Sequence, residues 1–268
     1  MVVWIASVLL TWTSAAQQGG YGTRMTGMGG AGVALEGNLW AAGENPAGLA
    51  DVQNVGIAAS FVPAQYGLSE LRTIALAGVV PLGAAAAGVS AMTFGFELYR
   101  ELNVSTGIGA AVTEWIKAGL TVRFQHLKIR GYGEAGRVSA ALGMTAHMGE
   151  NVNVGACVRN VGSSTLGRTG ERLPAVMQLG TTLEASDETV LALELEKHVL
   201  YPTAVKFGVE QKVLGAVALR GGAATRPDRY AVGCSFLAGP TEFGYAGVHH
   251  AFLGWTHQVD LEFQISAE

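Results

Sequence analysis

Along the second half of the chain, apolar and polar residues take strict turns. In Val259-Asp260-Leu261-Glu262-Phe263-Gln264-Ile265, every apolar side chain falls on one face of an extended segment and every polar one on the other. Val205-Lys206-Phe207-Gly208-Val209-Glu210 and Leu191-Ala192-Leu193-Glu194-Leu195-Glu196 repeat the pattern. A soluble sandwich also alternates, so one such strand decides nothing. Here the alternation recurs to the last residues and leaves little room for helices. It predicts an all-β fold: a transmembrane antiparallel β-barrel, apolar toward lipid and polar toward its lumen. In this register Leu261, Phe263 and Val209 face lipid, and Arg123, Glu194, Glu196, Lys206, Glu210, Arg220, Asp260 and Glu262 face the lumen. Charges are expected on a lumen wall, so a water-exposed lining or a stiffening charge network outweighs catalysis as their reading.

Strand-like runs follow residue 54 at near-regular spacing: 55–62, 71–80, 86–97, 103–112, 115–128, 136–148, 151–160, 174–183, 188–196, 203–212, 214–224, 228–237, 241–249 and 255–266. That is about fourteen strands, an even count of the length tilted membrane strands need. The connections alternate in length. One set is very short (81–83, 113–114, 149–150, 185–187, 213, 238–240). The other is mostly longer (63–70, 98–102, 129–135, 161–173, 197–202, 225–227, 250–254). Short periplasmic turns and longer outer loops account for this sorting and place both termini in the periplasm. Trp115, Phe207, Tyr245, Trp255 and Phe263 lie in these runs, several near their ends. Interfacial girdles and ordinary aromatic packing explain them equally well.

The first 54 residues break the pattern. Residues 1–16 read as a signal peptide: Val2 to Ala16 is uncharged and mostly apolar, and Ser14-Ala15-Ala16 before Gln17 offers a small-residue cleavage site. The n-region carries no Lys or Arg, which leaves a short anchor or a misplaced start codon as the alternatives. Residues 17–54, rich in Gly and Ala, are expected to form a hatch inside the lumen of a barrel spanning 55–268. Gly27, Gly29, Gly30 and Gly32 permit close backbone contact with the wall, and Asn45-Pro46 turns the chain toward the first strand.

Composition supports a membrane barrel. Charged residues are 14% of the chain, against roughly a quarter in ordinary soluble domains. Hydrophobic residues are 49%, yet no run reaches the roughly 18 apolar residues of a spanning helix. The 38 glycines suit crowded lumen walls and tight turns. A net charge of -4 argues against a nucleic-acid partner. Cys157 and Cys234 fall in separate strands, and two free buried thiols are favoured over a disulfide.

Motifs of chemistry are weak. Gly27-x-Gly29-x-x-Gly32 matches the dinucleotide-binding pattern, but that chemistry needs a preceding strand and a βαβ unit. None of the six histidines has the spacing of a zinc protease, and the cysteines form no CxxC. His249 and His250 are adjacent and point to opposite faces of a strand. No GxSxG nucleophile elbow is present. The expectation is a protein that is not an enzyme and uses neither cofactor nor metal. A hydrolase with Ser and His on the wall is the third-ranked alternative.

The stretch Arg24-Met25-Thr26-Gly27-Met28-Gly29-Gly30-Ala31-Gly32-Val33-Ala34-Leu35, followed by Asn45-Pro46-Ala47-Gly48-Leu49, resembles the opening of the PorV/PorQ group of outer-membrane proteins, relatives of the long-chain fatty acid transporter FadL. Asn160-Val161-Gly162 with Leu173-Pro174, Ala218-Leu219-Arg220-Gly221-Gly222 and Leu253-Gly254-Trp255-Thr256 extend the resemblance. It implies a fourteen-stranded barrel with an N-terminal hatch that gates hydrophobic molecules. The expected partners are outer-membrane lipid and either a small hydrophobic ligand or proteins of an envelope complex. For PorV-like members the implied role is type IX protein secretion. This chain is shorter and has no long outer loop for binding cargo.

Overall fold

The computed structural model describes residues 21–162, 174–199 and 201–265. The proposed signal peptide and most of the longest connection therefore lie outside the described residues. The described residues begin with a short helix, α1 (Thr23–Gly27), and 3-10 turns at Ala41–Gly43 and Pro46–Asp51. Fourteen strands follow: β1 Val55–Val62, β2 Thr73–Pro81, β3 Ala85–Gly95, β4 Tyr99–Ala111, β5 Ile116–Ile129, β6 Gly133–His147, β7 Val152–Val161, β8 Val176–Ser186, β9 Thr189–His198, β10 Ala204–Val213, β11 Val217–Ala224, β12 Arg229–Ala238, β13 Thr241–His250 and β14 Gly254–Ile265. Each pairs antiparallel with its neighbours in sequence, and β14 returns to β1 to close the barrel. Closure removes every free edge, so each strand's backbone groups find partners without water. Among the described residues no helix is long and apolar enough to cross a membrane.

The period-two pattern fixes the two faces of this sheet. In β10, Ala204, Lys206, Gly208 and Glu210 are buried while Val205 and Phe207 are exposed. In β14, Gln258 and Asp260 are buried while Val259 and Leu261 are exposed. Polar residues are thus the buried ones and apolar residues the exposed ones, the reverse of a soluble domain. Ile57, Leu76, Leu120, Leu179, Leu193, Val232 and Phe243 continue the exposed apolar band around the wall. A band of this kind is stable only against lipid.

The strand boundaries shift by three residues at the end of β8 and the start of β11, and depart from expectation most around β4–β6. β4, β5 and β6 continue past the predicted ends, with Tyr99 pairing Ile129 and Ile129 pairing Gly133. The expected loops 98–102 and 129–135 shrink to 96–98 and 130–132. Residues 99–102 and 133–135 instead continue the β4–β5–β6 ladder. The sorting of connections survives as one end that carries 63–72 and 162–175 and an opposite end of uniformly tight turns. These are called the long-loop and short-loop ends below. The thiols also differ from expectation. Both are free, but only Cys157 is buried; Cys234 is exposed on the outward face of β12, opposite Tyr245.

Residues 21–54 pack against the inward face of the barrel. Leu39, Trp40, Ala41, Ala42, Leu49 and Val52 form a cluster with Ala58, Ala75, Ala77, Val79 and Ala86 of β1–β3. Across the barrel, Met28, Ala31 and Leu35 meet Ala192 of β9. The molecule's apolar core lies here, inside the sheet. Room comes from glycines on both partners. Gly29 adopts φ +69°, and a Cβ there would lie 2.7 Å from Ala223 N. Opposite it, a Cβ on Gly208 would lie 2.6 Å from Met28 Cβ.

Candidate functional site

Chemistry concentrates where the N-terminal segment meets the wall. Asn45 is the N-cap of the turn Pro46–Asp51: its Oδ1 accepts from Ala47 N at 3.2 Å, and its Nδ2 donates to Val33 O at 2.6 Å. Asn45-Pro46 thus ties two parts of the segment together as well as turning the chain. The two residues press against the wall at Gly119 and Gly143, where any Cβ would collide with them.

The glycines of the GxGxxG-like stretch hold an anion, but the anion is a wall carboxylate. The backbone N–H groups of Gly32 and Val33 both donate to Glu194 Oε2 at 2.9 Å. Glu194 Oε1 accepts from Lys206 Nζ and from Gln178 Nε2, each at 2.8 Å. Lys206 also reaches Glu196 Oε2 at 2.9 Å, and Arg159 reaches the same oxygen at 3.3 Å. Gly30 lies over the Lys206 stem, and Gly27 packs on the Arg220 stem. With every oxygen of Glu194 partnered, this buried network rigidifies the seat.

The remaining charged residues hold other parts of the segment. Arg123 donates from Nη2 to Gly43 O at 2.6 Å and from Nε to Ser105 Oγ at 3.0 Å. Glu210 accepts from Arg24 Nε and Nη2 at 3.0 and 2.9 Å, and from Arg220 Nε at 2.6 Å. Asp260 accepts from Thr23 N and Oγ1 at 2.6 and 2.7 Å, capping the start of α1. Glu262 accepts from Trp40 Nε1 at 3.0 Å. All eight wall residues singled out in the sequence therefore meet the segment or its network.

Sequence reasoning missed the partners within the segment and one cluster near the short-loop end. Lys117 Nζ pairs with Asp51 and lies 3.2 Å from Glu36 Oε1 and 2.8 Å from His147 Nε2. Glu36, Asp51 and His147 are close enough to hold a metal ion. The Lys117 ammonium already stands among them and supplies the positive charge such a group requires. Pairings this far apart in sequence leave no local signal. Glu44 is a further buried group: its carboxylate accepts from Tyr21 N at 3.1 Å and from Asn38 Nδ2. Burial pushes its carboxyl up to about 7, against the opposing pull of those hydrogen bonds.

Two cavities flank the segment. The one toward the long-loop end has a volume of about 90 Å³. Val62, Ala75, Met92, Ala231 and Val248 give it apolar walls, and Ser60, Thr256, Gln258 and Arg229 bring polar groups. Tyr21 also lines it and stacks on Trp40 with ring centroids 6.2 Å apart. The cavity toward the short-loop end is about 250 Å³. The carboxylates Glu210, Glu242, Asp260 and Glu262 and the cations Arg24, Lys212 and Arg220 surround it. Of the adjacent histidines, His250 is buried and packs edge-on against Tyr66, while His249 leans on Trp255.

No protein-family model matches the sequence, and no curated protein matches it. Solved structures do. The chain is similar to the CymD monoaromatic hydrocarbon channel at 14% identity, with TM-score 0.71 over 92% of this chain and 98% of that one. It is similar to the Ralstonia pickettii toluene transporter TbuX at 14% identity, with TM-score 0.68 over 94% and 99%. A Pseudomonas aeruginosa FadL homologue aligns at 14% identity, with TM-score 0.57 over 93% and 98%. At such identities the likeness shows the fold: a closed fourteen-stranded barrel of the outer-membrane type. The PorV/PorQ resemblance and the type IX secretion role gain no support from these comparisons.

Proposed function

We propose that the protein is an outer-membrane channel for small hydrophobic molecules, in which residues 21–54 act as a hatch across the lumen. The observation that carries this reading is the cavity of about 90 Å³ beside Tyr21, Val62 and Met92. It offers apolar walls inside the lumen on the long-loop side of the segment. The shared fold of hydrocarbon channels supports the same reading. In this orientation the long-loop end faces outward and the short-loop end faces the periplasm. A hydrophobic molecule enters from outside, rests in the apolar cavity and moves on when the segment shifts. Glu194, Arg123, Glu210 and Asp260 hold the segment in the closed arrangement.

Cells whose outer membrane contains the protein should take up a radiolabelled monoaromatic compound such as toluene faster than cells without it. Equal uptake at equal surface expression would refute the channel reading. Fractionation should recover the protein in the outer membrane with heat-modifiable migration on gels. Recovery as a soluble protein without detergent would refute the location as well.

A further inference from the structure

The cavity on the long-loop side of the segment has a specific polar feature among its apolar walls. Gln258 lines it and is only 4% exposed. Its Nε2 donates to Tyr21 O at 3.1 Å and to Ser60 Oγ at 2.8 Å. Tyr21 O is a carbonyl and can only accept, and Ser60 Oγ passes its own hydrogen to Val259 O at 3.3 Å. The amide orientation is therefore fixed by its surroundings, and both its hydrogens are committed. Oε1 remains as an acceptor with no donor. Beside it, Thr256 Oγ1 already accepts from Tyr66 N at 2.9 Å. Arg229 adds a positive charge to the lining.

Size limits the occupant. An apolar cavity of about 150 Å³ takes up benzene. One of about 90 Å³, open on one side, seats at most a single small ring that projects through the opening, and no long acyl chain. Chemistry limits it further. A pure hydrocarbon in this cavity displaces water from Gln258 Oε1 and leaves that acceptor buried and unpaired. A carboxylate meets the same oxygen with an acceptor of its own.

We infer that the cavity selects a small neutral molecule with an apolar body of about one ring and one hydroxyl donor, and that Gln258 determines this selectivity. The inference rests on the reading of the protein as a hydrophobic-molecule channel and names the ligand class within it. The hydroxyl donates to Gln258 Oε1 while the ring packs against Met92, Val62 and Val248.

The protein in lipid nanodiscs, with empty discs subtracted, distinguishes the classes by equilibrium dialysis against 4-methylphenol, toluene and benzoate. The expected result is that 4-methylphenol binds about tenfold more tightly than toluene, a factor set by one satisfied hydrogen bond. Benzoate should bind most weakly. In Gln258→Leu the preference for 4-methylphenol over toluene should vanish while toluene binding persists. Equal affinities for 4-methylphenol and toluene in the unmodified protein overturn the inference and leave the channel reading standing. So does a preference that survives Gln258→Leu, or benzoate as the tightest ligand, which would assign recognition to Arg229. Binding of none of the three overturns both. The comparison in the unmodified protein decides the matter even where the variant fails to fold.

Discussion

The two cavities that flank the N-terminal segment are built from the same sheet, yet they differ in kind. The one at the long-loop end is small and mixes apolar walls with a few neutral polar groups and Arg229. The one at the short-loop end is larger and ringed by carboxylates interleaved with Arg24, Lys212 and Arg220. A hydrophobic molecule gains by leaving water for the first and gains little in the second. In the proposed channel, the segment is the boundary between a site that holds such a molecule and an aqueous vestibule that does not. Its own contacts mirror the difference. Toward β1–β3 it is held by apolar packing around Trp40 and Leu49. Toward β9–β14 it is held by charges and hydrogen bonds that centre on Glu194, Glu210 and Asp260.

The strongest way to break the comparison is to join the two cavities. Deletion of residues 20–44 removes α1 and Trp40 and leaves Asn45-Pro46 and the sheet intact. In planar bilayers the deleted protein should show a much larger and less selective single-channel conductance than the full chain. An unchanged conductance from a folded deletion variant would mean that the segment separates nothing and serves only as a tether or an assembly element.

A smaller effect should separate the two ends by stability. Arg220 is buried, pairs with Glu210 at 2.6 Å and reaches Glu242 at 3.2 Å. Removing one partner of a buried ion pair costs about 3–5 kcal/mol. Arg220→Met should therefore lower the midpoint of heat modification on gels well below that of the unmodified protein. Thr256→Val at the other end removes the acceptor for one backbone N–H, a loss of about 1 kcal/mol. Midpoints that fall equally in the two variants would show that charge is no more important to the short-loop end than to the long-loop end.

Most of the barrel was legible in the sequence because period two is a local property. Val205 to Glu210 announces its two faces without reference to any other strand, and β10 then follows within one residue of expectation. The ends of β4–β6 were less legible. Arg100 and Glu134 fell in the expected loops 98–102 and 129–135, yet both lie on the ladder, paired with Gly95 and Lys128. The wall charges were legible as inward-facing, but their partners were not. The contact of Glu194 with Gly32 and that of Asp260 with Thr23 span most of the chain. Nothing near either residue in sequence marks the other. The cavities depend on how the segment lies against the wall, so neither could be read before that placement was known. The exposure of Cys234 was misjudged for a simpler reason: in this barrel the outward face is the apolar one, and a small apolar thiol belongs there.

The subtlest comparison is between the segment at low and at high pH. Glu44 lies inside it, between the two cavities, and ties Tyr21 to Asn38. Burial is the largest influence on its carboxyl and raises it from 4.5 to about 7 in the folded protein. The folded state consequently holds a proton that the unfolded state gives up more easily. The stabilisation linked to this proton is complete below about pH 4.5 and is lost as pH rises through about 7. The segment should therefore be seated more firmly at pH 5 than at pH 8. Hydrogen exchange at the Tyr21 amide, corrected for its intrinsic pH dependence, should show lower protection at the higher pH, with the change centred near neutrality. Glu44→Gln cannot ionise and should flatten the profile while keeping an acceptor for Tyr21 N. A profile as steep in Glu44→Gln as in the unmodified protein would assign the pH response to another group and leave Glu44 as a structural tie alone.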